Sequence, residues 1–373
     1  MPKVLAIEPY YGGSHKAFID GYRAHSGLEM DLIRMPARKW KWRMRGAALE
    51  VGRLLPAVGP DVVLASDFLD LAALVGQRRE VLATVPCAAY FHENQLTYPL
   101  LEESERDYQF GFTNITTCMA ADSVIFNSAY HMEEFLGGVE RLLKRMPDCV
   151  PHGVPEAIRG KATVVPPGVD FEAVSRARAT AAPRTGPLRV LWNHRWEFDK
   201  GPEAFFSVMG RLADEGCEFE LAVLGETFSQ WPAIFDEARE RFARQLRAFG
   251  YVESRQEYLR VLAESDVVVS TALHEFFGLA VVEAICAGCA PLLPRRLSYP
   301  EILPEHAHGM HLYGSLEELG DWLSRWMARP QEARSMDLSE AMRKFDWADV
   351  APRLDAVLEG LARPEIQRPT AHP

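Results

Sequence analysis

At 373 residues the chain is long for a single hydrophobic core, and two domains of about 150–200 residues are expected. Its composition is ordinary for a globular protein, and a net charge of −11 excludes a protein wholly devoted to coating nucleic acid. It leaves room for a local basic patch, because contact depends on the nearby field.

The opening Met1–Glu8 stretch meets an acid too soon for a signal peptide and reads as a first strand. No apolar run approaches the ~20 residues that span a bilayer. Short apolar runs then alternate with longer amphipathic segments, the pattern of βαβ units and parallel sheets. Strands are expected at 3–7, 30–33, 62–65, 87–91, 123–126 and 163–165, and helices at 16–25, 68–76, 108–120 and 130–146. The alternation breaks at 166–170, and the aperiodic stretch 177–187 reads as an interdomain linker. It resumes with strands at 188–192, 220–224, 251–252, 267–270 and 290–293. A last helix at about 347–361 is expected to return to the first domain, ahead of a Pro-rich tail from 363 that frays.

The expected fold class is therefore α/β, with two doubly wound, Rossmann-like domains. Residues 1–180 form the first, 188–345 the second, and 346–363 a returning helix. Ligands are expected at the carboxyl ends of both sheets, in the cleft between them. The six cysteines show no disulfide framework, which points to a reducing cytoplasm. Cys286-Ala287-Gly288-Cys289 lacks a partner pair and reads as two buried helix-end cysteines.

In the second half, Trp192-Asn193-His194-Arg195-Trp196-Glu197-Phe198-Asp199-Lys200-Gly201-Pro202 begins where a strand ends, and Pro202 suits the first turn of a helix. Arg195 offers a bidentate fork and Lys200 a compact charge, a pairing suited to a diphosphate. Further on, a polar loop ends in Glu275, and Phe276-Phe277-Gly278-Leu279 leads into an apolar helix. The tip of that helix, with unpaired N–H groups and a positive dipole end, is a seat for phosphate. Glu275 is placed to accept hydrogen bonds from sugar hydroxyls, and Glu283 to reach a ribose diol. The plain alternative for Glu283 is a helix charge meeting an arginine. No DxD-type metal signature is visible, and Asp67-Phe68-Leu69-Asp70 reads as a helix cap.

Three stretches of the first half follow strands directly. In Glu8-Pro9-Tyr10-Tyr11-Gly12-Gly13-Ser14-His15-Lys16, the glycines let backbone approach a substrate closely and Ser14 is placed to cap the next helix. Phe91-His92-Glu93-Asn94-Gln95-Leu96-Thr97-Tyr98-Pro99 is polar enough to read as a site rather than a connector. Phe126-Asn127-Ser128-Ala129-Tyr130-His131 caps a helix with Ser128 or Asn127, which accounts for half of its signal. In addition, Arg38-Lys39-Trp40-Lys41-Trp42-Arg43-Met44-Arg45 interleaves five cations with two tryptophans. The cations suit phosphates and the indoles offer stacking faces for bases. A membrane-surface element and a basic helix face with its tryptophans turned inward remain as alternatives.

The Arg/Lys pair upstream of two glutamates separated by seven residues resembles glycosyltransferase family 4, of the two-domain GT-B fold. The stretches at 8–16, 36–43 and 91–99 resemble, together, a divergent branch of that family, the tRNA-queuosine α-mannosyltransferases. The likeness runs from Val4 to about Pro300. It implies a retaining, metal-independent enzyme with no cofactor beyond its donor, GDP-mannose. The implied acceptor is the cyclopentenediol of queuosine at the wobble position of an aspartate tRNA. It further implies that Arg195 and Lys200 neutralise the leaving diphosphate, that Glu275 positions the sugar and Glu283 the ribose, and that His92 lies beside the reacting carbon. Gly12, Gly13, Phe276, Phe277, Gly278 and Leu279 complete the expected donor site. Ser14, His15, Arg38, Lys39, Trp40, Lys41, Trp42, Arg43, Glu93, Asn94 and Gln95 make up the expected acceptor side. A family 4 enzyme acting on a lipid or polysaccharide, and a non-catalytic nucleotide-sugar or tRNA-binding protein on the same scaffold, remain as alternatives.

Overall fold

The computed structural model describes residues 1–102, 106–226 and 231–362; the tail expected to fray lies outside them. The chain divides into two compact units, Met1–Gly168 with the segment from Trp347 onward, and Val169–Asp346.

The first unit holds β1 (Lys3–Tyr11), β2 (Glu29–Pro36), β3 (Val62–Ser66), β4 (Cys87–Phe91), β5 (Ser123–Phe126) and β6 (Ala162–Val164). They form one sheet in the order β2-β1-β3-β4-β5-β6, and every pair is parallel. Its helices are α1 (Gly13–His25), α2 (Trp40–Leu54), α3 (Leu71–Gln77), α4 (Arg79–Leu82), α5 (Tyr108–Ala120), α6 (Ala129–Leu143) and α7 (Val154–Arg159). β3, β4 and β5 are buried along their whole length. A parallel sheet covered on both faces has no polar side to offer, so these strands read as unbroken apolar runs.

The second unit opens with α8 (Phe171–Thr180) and holds β7 (Leu188–Asn193), β8 (Phe219–Leu224), β9 (Leu246–Gly250), β10 (Val267–Val269), β11 (Ala290–Pro294) and β12 (Leu312–Tyr313). Their order is β12-β11-β10-β7-β8-β9. Its larger helices are α9 (Pro202–Asp214), α10 (Ile234–Arg241), α11 (Arg255–Ala263) and α12 (Leu279–Cys286), followed by α13 (Tyr299–Ile302), α14 (His308–His311), α15 (Leu316–Ala328) and α16 (Pro330–Arg334). In each sheet the winding direction reverses once, between β1 and β3 and between β7 and β10. Loops at the carboxyl ends of strands beside such a reversal splay apart and leave room for a ligand.

Three features differ from the sequence reading. The stretch at 177–187 is no linker between units. Phe171 and Val174 of α8 join the core of the second unit, and Arg184 donates to the Ser265 and Gly288 carbonyls. An irregular sequence here marks an anchored loop, and the chain changes unit at Gly168, nine residues before the start of the expected linker. β9 lies before the expected strand at 251–252. As the edge of its sheet it is only half-buried, so it lacks the apolar run that betrays an inner strand. The run 38–45 is the lead-in and first turn of α2, a helical setting that the expected elements lack and that the basic-helix-face alternative contains.

α17 (Trp347–Ala362) packs on the first unit's sheet. Trp347, Val350, Ala351, Leu354 and Leu358 share a core with Val4, Ala6, Phe18 and Tyr22. Asp355 fastens it by accepting from Tyr22 Oη (2.6 Å), Ser26 Oγ (2.6 Å) and the Gly27 N–H (2.8 Å). The Trp347 indole is seated between two glycines. A Cβ at Gly168 would fall 2.2 Å from its Cδ2, and one at Gly21 2.3 Å from its Nε1. Gly168→Ala is therefore expected to destabilise the protein by about 1–3 kcal/mol, as overpacking does. A denaturant midpoint equal to that of the parent chain would refute the seating.

Candidate active site

At the reversal of the second sheet, two loops are stapled together. After β7 the chain forms a short 3-10 turn, Phe198–Lys200, and enters α9 through Gly201 in the left-handed region (φ 64°). A Cβ at Gly201 would lie 2.4 Å from the Thr271 carbonyl oxygen, so only glycine lets the turn meet the loop after β10. Thr271 Oγ1 donates to the Lys200 and Gly201 carbonyls, and the Leu273 and His274 N–H groups donate to the Asp199 carbonyl. Lys200 is thereby fixed. Its Nζ donates to the His274 carbonyl at 2.9 Å and lies 2.9 Å from Asp199 and 3.5 Å from Glu275. Arg195 is part-exposed, 3.1 Å from Glu197.

Burial alone would raise Glu275, but Lys200 above all outweighs it and holds the carboxyl below its usual range. His194 and His274 flank the group, and burial pushes both to about 4. Both are neutral imidazoles at pH 7. The site's charge at neutral pH is thus two fixed cations and their carboxylates.

α12 starts at Gly278 in the left-handed region (φ 99°). Glu283, buried in this helix, accepts from Arg255 and, at 2.7 Å, from Tyr258 Oη, while Asn193 Nδ2 donates to Tyr258 Oη at 2.8 Å. The arginine anticipated by the plain reading exists, on α11, and the network leads back through Asn193 to the end of β7. Phe277 is a core side chain, edge-on to Phe345, and its carbonyl accepts from Ser298 Oγ at 2.8 Å. Cys286 and Cys289 are buried free thiols. Burial pushes the Cys289 thiol up to about 12, which disarms it as a nucleophile.

In the first unit, β1 runs on to Tyr11, so Glu8 is inside the strand and buried. Its carboxylate accepts from the Tyr10 N–H (2.8 Å) and Ser66 Oγ (3.1 Å), and lies 3.1 Å from His15 Nδ1. Burial works against a charged imidazole, yet the Glu8 carboxylate prevails and raises His15 to about 9. The His15 ring lies on that of His92, with centroids 4.1 Å apart and a 40° tilt. Tyr90 and Phe18 pack against other parts of the His92 ring. The His92 backbone is pinned at both ends: its N–H donates to Asp67 (3.1 Å), and Asn127 Nδ2 donates to its carbonyl (2.9 Å). Burial, with the like charges of His15 and His131, holds His92 well below the ordinary histidine value. Asp67 is pushed up to about 8 by burial, against the pull of His15 and with the help of Glu93 and Glu8.

Glu8, His15 and His92 bring one ligand atom each within 4.8 Å of one another. Two imidazoles sharing an ion at ~2 Å each would point their edges at it. These rings lie one against the other at a 40° tilt instead, and Nδ1 of His15 is taken by Glu8.

Several expected roles change here. Ser14 does not cap α1; the cap position is Gly12, without a side-chain bond. Gly12 is required by the chain itself, since a Cβ there would lie 2.4 Å from Ala37 Cβ. Gly13 adopts positive φ with open space beside it. Asn94 is fully buried and spends its Oδ1 on the Leu96 and Thr97 N–H groups, so it shapes the loop and does not face an acceptor. Glu93 and Gln95 are part-exposed and joined by a 2.9 Å bond.

The basic run divides its two tryptophans. Trp40 turns inward against Phe110 and Phe68, and Phe68 also touches Tyr10 and His15. Trp42 is 74% exposed. The surrounding cations differ from Lys16, Arg53, Arg78, Lys144 and Arg159 of the same unit, each of which sits on a carboxylate. Among the described residues, Arg38, Lys39, Lys41, Arg43 and Arg45 pair with none; Arg43 donates to the Pro36 carbonyl and Arg45 to Gln109. Among the described residues no helix is long and apolar enough to cross a membrane.

The model for the N-terminal region of tRNA-queuosine alpha-mannosyltransferase matches residues 3–169. The tRNA-queuosine alpha-mannosyltransferase of Drosophila melanogaster is 38% identical over 344 residues, 89% of each chain. The chain belongs to the tRNA-queuosine α-mannosyltransferase family. A model for family 4 glycosyltransferases in conflict systems matches residues 141–306 of this family member. A GDP-mannose-dependent alpha-(1-6)-phosphatidylinositol dimannoside mannosyltransferase of Mycobacterium tuberculosis is 23% identical over 318 residues, 84% of this chain and 77% of that one. Among solved structures, sucrose-phosphate synthase from Thermosynechococcus elongatus superposes with a TM-score of 0.68 at 18% identity, covering 97% of this chain and 99% of the other. A UDP-forming trehalose-phosphate synthase from Burkholderia xenovorans gives 0.66 at 13% identity, with 97% and 100% covered. The fold is that of the GT-B glycosyltransferases.

Sequence reasoning took Asp67 and Asn127 of this mannosyltransferase-family chain for caps, whereas both hold the His92 backbone, and it gave no role to Asn193, His194, Arg255 or Tyr258. Asp67, Asn127 and His194 follow strand ends directly, and that position was a usable signal. Arg255 and Tyr258 carried none, because their tie to Glu283 exists only once α11 and α12 pack together.

Proposed function

We propose that the chain transfers mannose from GDP-mannose to the cyclopentenediol of queuosine in tRNA, with retention of anomeric configuration and without a metal ion. The observation that carries this reading is Lys200, locked between Asp199 and Glu275 at the sheet reversal with Arg195 beside it. Cations built into the fold can take the charge that develops on a leaving diphosphate, the work a metal does elsewhere. The tip of α12 at Gly278 adds backbone N–H groups to the same end. Glu275, ionised and held by Lys200, accepts from donor sugar hydroxyls, and Glu283, oriented by Arg255 and Tyr258, from the ribose. On the first unit, His92 is a neutral hydrogen-bonding ring beside the reacting carbon, with Glu93 and Gln95 facing the acceptor. The acceptor hydroxyl attacks from the face the diphosphate leaves, and the departing phosphate takes its proton.

The acceptor assignment is supported by the Drosophila relative's name and by the uncompensated cations beside an exposed tryptophan. Incubation with labelled nucleotide sugars and queuosine-containing tRNA should add one hexose to the wobble nucleoside from GDP-mannose alone. Transfer to lipid and none to tRNA would overturn it. Binding of tRNA should weaken steeply with salt, and Lys39→Ala or Lys41→Ala should each lower the slope of log affinity against log salt by about 1. An unchanged slope in both would remove the first turn of α2 from the interface.

A further inference from the structure

The uncompensated charge does not end with α2. Arg45 donates to Gln109 Oε1 (3.2 Å), and its guanidinium stands 5.5 Å above the Phe110 ring. One residue before Gln109, Tyr108 carries Arg145 over its ring at 4.9 Å and accepts a hydrogen bond from it through its hydroxyl. Two arginines, one from α2 and one from the turn after α6, thus converge on the opening turn of α5. The acid in that turn, Asp107, caps the helix by accepting from the Gln109 N–H.

Their immediate neighbours are treated differently. Arg141 lies 3.9 Å from Glu134, and Lys144 2.6 Å from Glu140. Among the described residues, Arg45 and Arg145 meet no carboxylate and rest on aromatic rings and neutral groups. A ring beneath a guanidinium limits its motion without cancelling its charge, and the planar fork stays available to an anion. The platform is also tied to the loop after His92. Arg106, immediately before α5, donates to the Gln95 and Tyr98 carbonyls at 3.1 and 2.9 Å.

We propose that Arg45 and Arg145 extend the RNA-binding surface from α2 across the start of α5, each gripping a backbone phosphate of the acceptor RNA as it passes toward the Glu93–Gln95 loop. The inference rests on the reading above that RNA is the acceptor and that the first turn of α2 binds it.

The test is binding of queuosine-containing tRNA to the full chain, by anisotropy, between about 50 and 200 mM salt. Arg145→Ala is expected to lose affinity several-fold at the low end and to reduce the salt slope by about 1. In transfer assays its KM for tRNA should rise while kcat at saturating tRNA holds. Lys144→Ala, one residue away but already paired, serves as the control and should move neither quantity. If Lys41→Ala lowers the slope and Arg145→Ala does not, the extension is wrong and the α2 reading survives. If neither variant lowers it, the α2 reading fails and takes the extension with it.

Discussion

Arg195→Ala should lower kcat on the order of 100-fold or more while the fold stays intact, and Lys200→Ala should do the same at a further cost in stability. The two cations differ in setting. Arg195 is part-exposed beside Glu197, itself 28% exposed, so its removal takes a charge from the proposed diphosphate site and unpairs a carboxylate that water can reach. Lys200 is buried between Asp199 and Glu275. Its removal leaves two carboxylates without their counter-charge, and breaking a buried pair from one side costs about 3–5 kcal/mol. Turnover must therefore be read beside a melting curve. The expected loss, about 2.7–4 kcal/mol of transition-state stabilisation, is that of a missing oxyanion donor. It belongs in kcat, because the charge being stabilised develops only as the sugar departs. Parent turnover in both variants would dismiss the charge-stabilisation argument.

How far the sequence revealed this site follows from where each group sits in the chain. Arg195 and Lys200 share one βα junction, and Glu275 and Glu283 share another. Such local clusters survive as linear patterns, and the strands beside them are buried runs with unambiguous period. The Glu8–His15–His92 arrangement comes from three elements, and nothing in 8–16 or 91–99 alone says that two imidazoles overlap. Gly12 shows the converse failure. A glycine at a strand end suggests room for a ligand, whereas the neighbour that demands it is Ala37 of the same chain. Asn94 misled for a related reason. A polar side chain in a loop satisfies either a ligand or its own backbone, and short Asn side chains commonly do the second.

The buried pair of Glu8 and His15 carries a pH signature of its own. In the fold His15 is raised to about 9, against an ordinary value of about 6.5. A raised cationic group stabilises fully below the unfolded value and loses that contribution as pH climbs through the folded one, so this pair supports the fold at pH 6 and fades by pH 9. The shift corresponds to stabilisation on the order of 3 kcal/mol at most. Glu8→Gln keeps the shape but removes the counter-charge, and burial then drives His15 toward neutrality. The variant should be less stable than the parent by its largest margin near pH 6, with the margin closing toward pH 9. The same change should reach the reaction. With His15 neutral, one of the two like charges that depress His92 is gone, and the acid limb of kcat should move to higher pH. Of the other titratable groups around His92, Asp67 after β3 also feels the change, since it loses the raising effect of Glu8 and the lowering effect of His15 together; Tyr90 and Glu93, on and after β4, and His131 on α6 keep their places. Thermal midpoints from pH 6 to 9 and a kcat profile on the acid side read the two effects separately. A stability gap that stays constant across that range would mean the Glu8–His15 contact is an uncharged hydrogen bond. An unmoved acid limb would mean that His92 does not feel the charge beside it.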